Sequence, residues 1–569
     1  MGLFERFRRK SSAPLANNAN ERSAPTFDAV DQVRRYHHAT KHSPMRYARG
    51  PHGLNWETQP DPFRRYAGAP LLQFSLDAPR REVSFDATVQ EGELSSQPFD
   101  ETSLSELFRY ALGLSAWKEY EDSRWALRVN PSSGNLHPTE GYVLCGPVPD
   151  LHPTGLLAHY APKEHGLEVR CDIPVELWQQ VSAGLPEGAF FVGLSSVLWR
   201  EEWKYGERAY RYCNHDVGHA IAALVYSAAR LGWKVRMLDR LATEQIGALL
   251  GLSGFGEAEP EEPDALLAVF PGEVSDAPTI DEELVQRIGA LPKAGKANQL
   301  SPDHLEWDAI YACAFASEKS ATQALAPWPR LPRVEDPRDA REVLAHRLFL
   351  QRRSAQSMDG KSSMKLEDFL GTLARCMPTQ GQVPFHAMPW QPRVHLVLFV
   401  HRVDGLEPGL YVLLREEQSG ARLRGAMYDA FLWESPEGVP ASLPLYRLKN
   451  GAFKSVAAGL SCDQAIAGES AFSLGMLAEF DSALLEQGAW FYPRLFWETG
   501  LIGQVLYLEA EAAGLRGTGI GCFHDDPVHQ QLGLQGSAFQ SLYHFTIGGA
   551  LEDKRLQTLA PYGEREPAS

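Results

Sequence analysis

Two stretches of the chain are apolar on nearly every side, which is the pattern of a helix buried in a core. They cover residues 220–225 and 502–508, and they lack the single apolar stripe that marks a surface helix. A glycine, a short connection, a second predicted helix ending in Leu-Gly-Leu and a predicted strand follow each of them. The strands are 265–270 and 542–547. The pattern therefore predicts one αβ unit that occurs twice.

The spacing of the glycines indicates an internal duplication. Four pairs are each separated by 282 positions: Gly218 and Gly500, Gly232 and Gly514, Gly251 and Gly533, Gly254 and Gly536. An earlier block repeats at a spacing of 254, with 138–144 matching 392–398 and 155–156 matching 409–410. A fixed period is the signature of repeated units, and the change of period predicts an insertion of about 28 residues in the second copy.

The repeat, together with the Pro-rich and polar stretches between its copies, predicts four segments. We expect a disordered tail at 1–25, a first domain at 26–275, a Pro-rich and partly helical linker at 276–335, and a second domain at 336–569. Within the linker, a helical piece is predicted around 307–319. Each domain is expected to be an α+β unit with a helix before a strand meander and further helices after it.

Composition and charge exclude several function classes. With 569 residues the chain exceeds the size of one hydrophobic core, and its net charge of −17 argues against a nucleic-acid surface. No apolar run is long enough to span a membrane, and no apolar stretch of a signal peptide follows the basic residues 6–10. Seven scattered cysteines without a Cys-x-x-Cys predict reduced thiols and no metal site. We expect a cytoplasmic protein without nucleic-acid or membrane partners.

A segment near residue 130 is rich in hydrogen-bonding groups. It carries Arg128, Ser132, Ser133, Gly134 and Asn135, and we expect it to be a loop between a helix and a strand. Hydroxyl, amide and backbone donors suit a phosphate or a polar heteroaromatic ligand. A capping turn would use the same residue types, so the segment alone leaves both interpretations open.

Two further segments are weak signals when taken singly. Residues 352–356 read Arg-Arg-Ser-Ala-Gln, and paired guanidiniums beside a hydroxyl suit a phosphate, although an exposed basic turn looks the same. Gly519-Ile520-Gly521 is predicted to be a glycine loop, and Lys554 and Arg555 follow the final strand. No Walker motif and no complete Gly-x-Gly-x-x-Gly fingerprint is present.

Taken in order, these segments resemble the nitroreductase superfamily, in particular its SagB-type branch, which includes azoline dehydrogenases. That family has an Arg-Arg-Ser element for the FMN phosphate, a Pro-Ser-x-x-Asn loop that contacts the flavin from the partner subunit, and a Gly-x-Gly loop before an Asp-Asp helix ending in Leu-Gly-Leu. Here they are 352–354, 131–135, 519–521 and 525–534. The resemblance implies an α+β fold of two tandem nitroreductase-like, FMN-binding domains that form an intramolecular pseudo-dimer.

Comparison of the two copies implies one flavin site per chain. At spacing 282 the glycines 519 and 521 correspond to Met237 and Asp239, and at spacing 254 the residues 132–135 correspond to 386–389, which lack the hydroxyls and the amide. Each copy thus lacks what the other retains, so we expect about one FMN held by both. The residues expected to bind it are Arg128, Ser132, Ser133, Asn135, Arg352, Arg353, Ser354, Gln356, Gly519, Ile520, Gly521, Lys554 and Arg555.

The resemblance also implies catalytic residues. Azoline dehydrogenases carry a Lys-Tyr pair that corresponds to Lys204 and Tyr205, where a side chain could take a proton while the flavin takes a hydride. Without the resemblance, this segment would be a helix start with packed aromatic residues. His215 and His219 are spaced like metal ligands but lack a third ligand, so we interpret them as packing or pocket residues.

Three functions remain open at this point. The first is an FMN-dependent oxidoreductase of the nitroreductase and SagB type that acts on an azoline-like small molecule or modified peptide. The second is a nitro or quinone reductase that uses NAD(P)H as electron donor. The third is a redox-inactive flavin-binding scaffold. A pseudo-dimer is complete as a monomer, but a higher homo-oligomer is equally compatible with the sequence.

Overall fold

A computed structural model describes residues 28–76, 80–252, 259–275 and 278–563. The tail expected at 1–25 lies outside these residues. In the N-terminal part of the chain the helices are α1 (Ala29–Ala39), α2 (Glu101–Arg109), α3 (Val175–Val181), α4 (Leu198–Tyr205), α5 (Ala209–Arg230), α6 (Thr243–Leu250), α7 (Glu282–Gly289) and α8 (Asp308–Ala316). In the C-terminal part they are α9 (Ala345–Gln351), α10 (Leu366–Arg375), α11 (Glu417–Ala426), α12 (Lys454–Leu460), α13 (Ala465–Glu469), α14 (Asp481–Gln487), α15 (Tyr492–Ala512) and α16 (Asp525–Leu532). Among these helices, none is long and apolar enough to cross a membrane.

The strands form two large sheets and two small ones. The first eleven are β1 (Tyr66–Ala67), β2 (Leu71–Gln73), β3 (Leu114–Tyr120), β4 (Ser123–Arg128), β5 (Thr139–Cys145), β6 (Gly155–Ala161), β7 (Gly166–Ile173), β8 (Phe190–Val197), β9 (Lys234–Met237), β10 (Glu261–Phe270) and β11 (Lys296–Ala297). The others are β12 (Val394–Val400), β13 (Gly409–Leu413), β14 (Leu445–Asn450), β15 (Phe472–Glu479), β16 (Arg516–Ile520), β17 (Phe539–Gly548) and β18 (Gln557–Leu559).

The two large sheets share one topology, which confirms the predicted tandem α+β fold. One has the order β2-β7-β6-β5-β8-β10-β9, and the other has the order β14-β13-β12-β15-β17-β16. Apart from β2 at the edge, each strand of the first has its counterpart at the same place in the second. In both, a long buried helix, α5 or α15, packs beside the sheet. Between β13 and β15 the second half carries the helices α11, α12 and α13, where the change of spacing predicts an insertion.

The two halves meet where α5 crosses α15. Gly218 and Gly500, the first pair of the repeat, lie against each other at this crossing. A Cβ on Gly500 would lie 2.3 Å from the carbonyl oxygen of His215 and 2.7 Å from Cα of Gly218. A Cβ on Gly218 would lie 2.3 Å from the carbonyl oxygen of Trp497. The repeated glycines therefore permit backbone-to-backbone contact at the centre of the pseudo-dimer.

A buried ionic junction also joins the halves. The Asp525 carboxylate, at the start of α16, accepts hydrogen bonds from Arg211 at 2.7 Å and from Arg208 at 3.1 Å. It also accepts the backbone N–H of His42 at 2.9 Å. Together these donors hold the pKa of Asp525 well below its usual range, despite full burial. An acidic residue of the second half thus neutralises two arginines of the first.

Three local expectations are corrected by the structure. The segment 519–521 is not a glycine loop: residues 516–520 form the edge strand β16, paired with β17. The segment 128–138 does not follow a helix directly, because the hairpin β3–β4 stands between α2 and this loop. The connection after each long helix contains a strand, β9 or β16.

The C-terminal arm returns to the first half. Its strand β18 pairs antiparallel with β3, with Leu559 opposite Trp117. The indole of Trp117 donates to the carbonyl oxygen of Pro561 at 2.8 Å, and the Tyr562 hydroxyl accepts the backbone N–H of Leu114 at 3.0 Å. A three-stranded sheet of β18, β3 and β4 therefore contains strands from both halves of the chain.

Candidate active site

A cavity of about 1230 Å³ lies between the two halves. Its walls come from the loop after β4, from the segment after α9, from β16 and from the C-terminal arm. The predicted site residues that line it are Arg128, Ser132, Ser133, Asn135, Tyr205, Arg352, Arg353, Ser354, Gln356, Gly519, Ile520, Gly521 and Lys554. Residues far apart in sequence, and from both copies, thus face one space.

The loop on the first-half wall is held in an unusual backbone conformation. Gly134, Asn135 and His137 have φ values of 61°, 60° and 53°, in the left-handed region. The Asn135 amide donates to the carbonyl oxygen of Ala126 at 2.8 Å, so it ties the loop to β4. The Arg200 guanidinium donates to the carbonyl oxygen of His137 at 2.7 Å. These bonds fix the loop before any ligand binds.

A buried carboxylate that the sequence did not single out lies beneath this loop. Asp216, on α5, lines the cavity and accepts the backbone N–H of Ser133 at 3.1 Å and its hydroxyl at 3.3 Å. Burial raises the pKa of Asp216 to about 7, although the bonds from Ser132 and Ser133 act in the opposite direction. Glu201, fully buried on α4, has a pKa raised well above its usual value by burial and by the charge of Asp216.

The predicted catalytic pair lies beside this acidic cluster. If Gly134 carried a Cβ, it would lie 2.6 Å from the hydroxyl of Tyr205 and 2.9 Å from Nζ of Lys204. Burial and the nearby Glu201 raise the pKa of Tyr205 well above its usual value, so its phenol stays protonated. Lys204 itself is not among the residues that line the cavity, and it reaches the wall through this contact with Gly134.

Two arginines mark a cationic end of the cavity. Arg352 is buried and donates to the carbonyl oxygens of Val129 at 3.2 Å and Arg128 at 3.0 Å. The guanidinium of Arg353 donates to the carbonyl oxygens of Leu350 and Arg352, each at 2.7 Å. Neither guanidinium forms an ion pair with a carboxylate in the described parts of the chain, and burial lowers the pKa of Arg353 to about 10.

The glycines of β16 pack against two tyrosines. A Cβ on Gly519 would lie 1.9 Å from the hydroxyl of Tyr543, and a Cβ on Gly521 would lie 1.9 Å from the ring of Tyr212. The hydroxyl of Tyr507 accepts the N–H of Gly519 at 2.9 Å and bonds the Ser354 hydroxyl at 2.8 Å. At Gly519 and Gly521 this edge of the cavity therefore has aromatic side chains packed directly against the backbone.

Comparison with solved structures identifies the fold of the chain. The chain matches a protein from Anabaena variabilis, assigned to the nitroreductases, with a TM-score of 0.65 and 20% identity over 91% of this chain and 99% of that one. The chain has the nitroreductase fold. The match extends over both halves of the chain. No protein-family model and no curated protein matches the chain.

Two other solved structures with the nitroreductase fold match only part of the chain. The E. coli microcin synthetase McbBCD complex, with truncated pro-MccB17 bound, has a TM-score of 0.25 and 14% identity over 48% of this chain and 83% of that one. A protein from Ralstonia eutropha, also assigned to the nitroreductases, has a TM-score of 0.26 and 15% identity over 40% of this chain and 100% of that one. At these scores the likeness carries no argument about function.

Within the nitroreductase fold of this chain, the donor set fits a flavin mononucleotide. The cations Arg352 and Arg353 stand at one end, where a phosphate would neutralise them. The tyrosines 205, 212 and 543 stand along the wall, where a planar heteroaromatic ring would pack. Arg555 is outside this set, because its guanidinium is exposed, pairs with Asp553 at 2.7 Å and does not line the cavity.

Replacement of Asp216 by asparagine is expected to make stability less sensitive to pH. The folded pKa of about 7 lies above the value of about 3.9 in an unfolded chain. The stabilisation that protonated Asp216 contributes to the folded state is therefore fully present below the unfolded pKa, and it is lost as the pH rises through 7. Urea midpoints of the flavin-free protein at about pH 5.5 and pH 8 test this. The wild type should lose more stability across that interval than Asp216→Asn, and equal losses would refute the assignment.

Proposed function

We propose that the chain is an FMN-dependent oxidoreductase with one flavin site, shared by its two halves. The observation that carries the proposal is the pair of guanidiniums of Arg352, which is buried, and Arg353, which is half-buried. Neither pairs with a carboxylate among the described residues, and both face a cavity lined by both halves. Buried charge without a counter-ion is unfavourable, and a dianionic phosphate removes that cost. The aromatic side chains of Tyr205, Tyr212 and Tyr543 line the same cavity.

Each part of the cavity has a task in this proposal. Arg352, Arg353 and Lys554 bind the phosphate, and the hydroxyl oxygens of Ser132 and Ser133 offer hydrogen-bond acceptors to polar edges of the ring system. The bound flavin supplies hydride transfer. The 128–138 loop and β16 orient the ring from opposite halves, so neither half holds the flavin alone. Asp216 keeps the loop in place through its bonds to Ser133.

In this proposal, Lys204 and Tyr205 carry out proton transfer to and from the substrate. The raised pKa of Tyr205 keeps its hydroxyl protonated, so it can donate a hydrogen bond to a substrate heteroatom at Gly134. The Lys204 amine lies at the same place and is the group that would accept or return a proton there. The position of this pair supports a substrate with an azoline-like ring, carried by a small molecule or a modified peptide, as the resemblance implies.

Flavin binding tests the shared site. The purified protein is expected to be yellow, with about one FMN per chain. Arg353→Ala in the second half and Asn135→Ala in the first should each lower FMN occupancy and raise its dissociation constant at least about ten-fold, because charge-assisted bonds contribute about 1.5–3 kcal/mol and the loop needs its tie to Ala126. Arg555→Ala, outside the cavity, is the matched control. Two FMN per chain, or an effect of only one of the two variants, would contradict the shared site.

Single-turnover kinetics test the catalytic pair. With a thiazoline-containing peptide, the loss of flavin absorbance should slow by roughly 10²–10⁴-fold in Lys204→Gln and Tyr205→Phe, while FMN content stays at the wild-type level. If NAD(P)H rather than the azoline bleaches the flavin, and a nitro or quinone compound restores it, the chain is a reductase instead. A yellow protein that no donor bleaches would favour the scaffold.

A further inference from the structure

A pair of cysteines lies at the edge of the cavity. The sulfur atoms of Cys462 and Cys522 are 2.9 Å apart, although the residues are 60 positions apart in sequence. Nδ1 of His42, from the first half, lies 3.6 Å from the sulfur of Cys522. The other five cysteines are buried, whereas these two are half-buried. Cys522 lines the cavity directly after Gly521.

The surroundings divide the two thiols into a nucleophile and a proton donor. The bond from Cys462, with His42 and Arg208, lowers the pKa of Cys522 below its usual value, against the effect of burial. The same contact raises the pKa of Cys462 well above its usual value. Of the two thiols in contact, Cys522 is therefore the one that loses its proton more readily. This is the arrangement of an attacking cysteine beside a resolving one.

The thiols can be reached from outside the protein core. Cys462 and Cys522 are each half-buried, and Cys522 lines the cavity. The amide of Gln464 donates to the carbonyl oxygen of Cys522 at 3.0 Å and holds its backbone against the turn that carries Cys462. A small disulfide can thus reach a sulfur whose resolving partner is already positioned.

The spacing argues against a metal at this place. His42, Cys462 and Cys522 are a group of potential ligands in the described residues. Two thiolates bound to one tetrahedral zinc, at about 2.3 Å each, stand roughly 3.8 Å apart, which is farther than the 2.9 Å found here. Structural zinc also takes four protein ligands, and this group offers three. The geometry suits a bond between the sulfurs better than a shared ion.

We propose that Cys462 and Cys522 are a redox-active dithiol that forms a reversible disulfide by exchange with a low-molecular-weight disulfide. The Cys522 thiolate attacks one sulfur of that disulfide, forming a mixed disulfide and releasing one thiolate. Cys462 loses its proton and attacks the sulfur of Cys522, forming the internal disulfide and releasing the second thiolate. The two cysteines lose two electrons, and the external disulfide becomes two thiols. The new bond fixes the end of β16 to the turn after α12, at the wall of the cavity.

Titration with glutathione disulfide tests the proposal on the full chain. We expect two thiols per chain to disappear, a mass loss of two hydrogen atoms, and a cross-linked peptide containing Cys462 and Cys522, all reversed by dithiothreitol. In Cys462→Ser the reaction should stop with one glutathione on Cys522, and Cys522→Ser should take up none. Cys313→Ser, at a buried site, is the matched control and should behave as the wild type.

Three results would overturn the proposal. These are an unchanged thiol count, glutathione on Cys462 in the Cys522→Ser variant, or one bound zinc per chain that protects both thiols. His42→Gln gives a separate readout of the positioning role of His42. At about pH 6.5, iodoacetamide should label Cys522 about ten-fold more slowly in this variant, because the thiolate is less favoured. These readouts do not require flavin, so their failure is distinguishable from failure of the proposed oxidoreductase function.

Discussion

Replacement of Gly500 by alanine is expected to destabilise the protein by about 3 kcal/mol or more. The added Cβ would lie 2.3 Å from the carbonyl oxygen of His215 and 2.7 Å from Cα of Gly218. Both are backbone atoms of α5, so no side-chain rotation can remove the clash. The helices α5 and α15 would have to separate, and the apolar surface at the centre of the pseudo-dimer would lose its packing. Urea denaturation monitored by tryptophan fluorescence measures the change.

Gly425 provides the matched control. It also lies in a helix, α11, but a Cβ there would meet no atom within 4 Å. Gly425→Ala should be neutral or stabilising by up to about 1 kcal/mol, because alanine costs less entropy in a helix. Gly218→Ala should resemble Gly500→Ala, and the double variant should lose less than the sum of the two. A wild-type urea midpoint for Gly500→Ala would mean that the helices do not cross at this point.

Replacement of Asp525 by asparagine is expected to cost about 3–5 kcal/mol. The carboxylate compensates Arg208 and Arg211, both nearly fully buried, and accepts the backbone N–H of His42. Asparagine keeps the shape but leaves two guanidiniums without a counter-ion in a low-dielectric interior. Since the arginines belong to the first half and Asp525 to the second, the loss should also weaken the contact between the halves. Thermal unfolding and limited proteolysis would report it.

The neighbouring residue, Asp526, is a control that separates the effect of burial on stability from the effect of charge. Asp526 carries the same charge one position later, but its side chain is 57% exposed and it pairs with Lys41 at 2.7 Å. Asp526→Asn should change stability by no more than about 1 kcal/mol, as exposed ion pairs do. Equal effects of the two substitutions would show that the buried junction does not stabilise the interface in the way its geometry implies.

The duplication could be predicted from the sequence because it depends on local rules. Gly218 and Gly500 keep their spacing because both must allow the same helix contact, and Gly251 and Gly533 keep theirs because both end a helix with positive φ. The cavity residues 131–135 and 352–354 were predicted through the family resemblance, because their residue types alone also fit a capping turn or an exposed basic turn. Their convergence follows once the two halves are placed as a pseudo-dimer.

Features that depend on contacts between distant segments could not be predicted in this way. The edge strand β16 reads as a glycine loop, because its pairing with β17 is not visible locally. Asp216 looks like one polar residue of a buried helix until the 128–138 loop is placed on it. The approach of Cys462 and Cys522 depends on the turn after α12 meeting the end of β16. Each of these is a tertiary effect that residue spacing does not encode.

The C-terminal arm has a consequence for how the protein is made. Most residues between 550 and 561 line the cavity, and β18 can join β3 only after residues 557–559 have been synthesised. Until this arm has left the ribosome, the first half can fold, but its hairpin β3–β4 lacks a third strand and the cavity lacks a wall. A translation product truncated before the arm would therefore have an incomplete cavity.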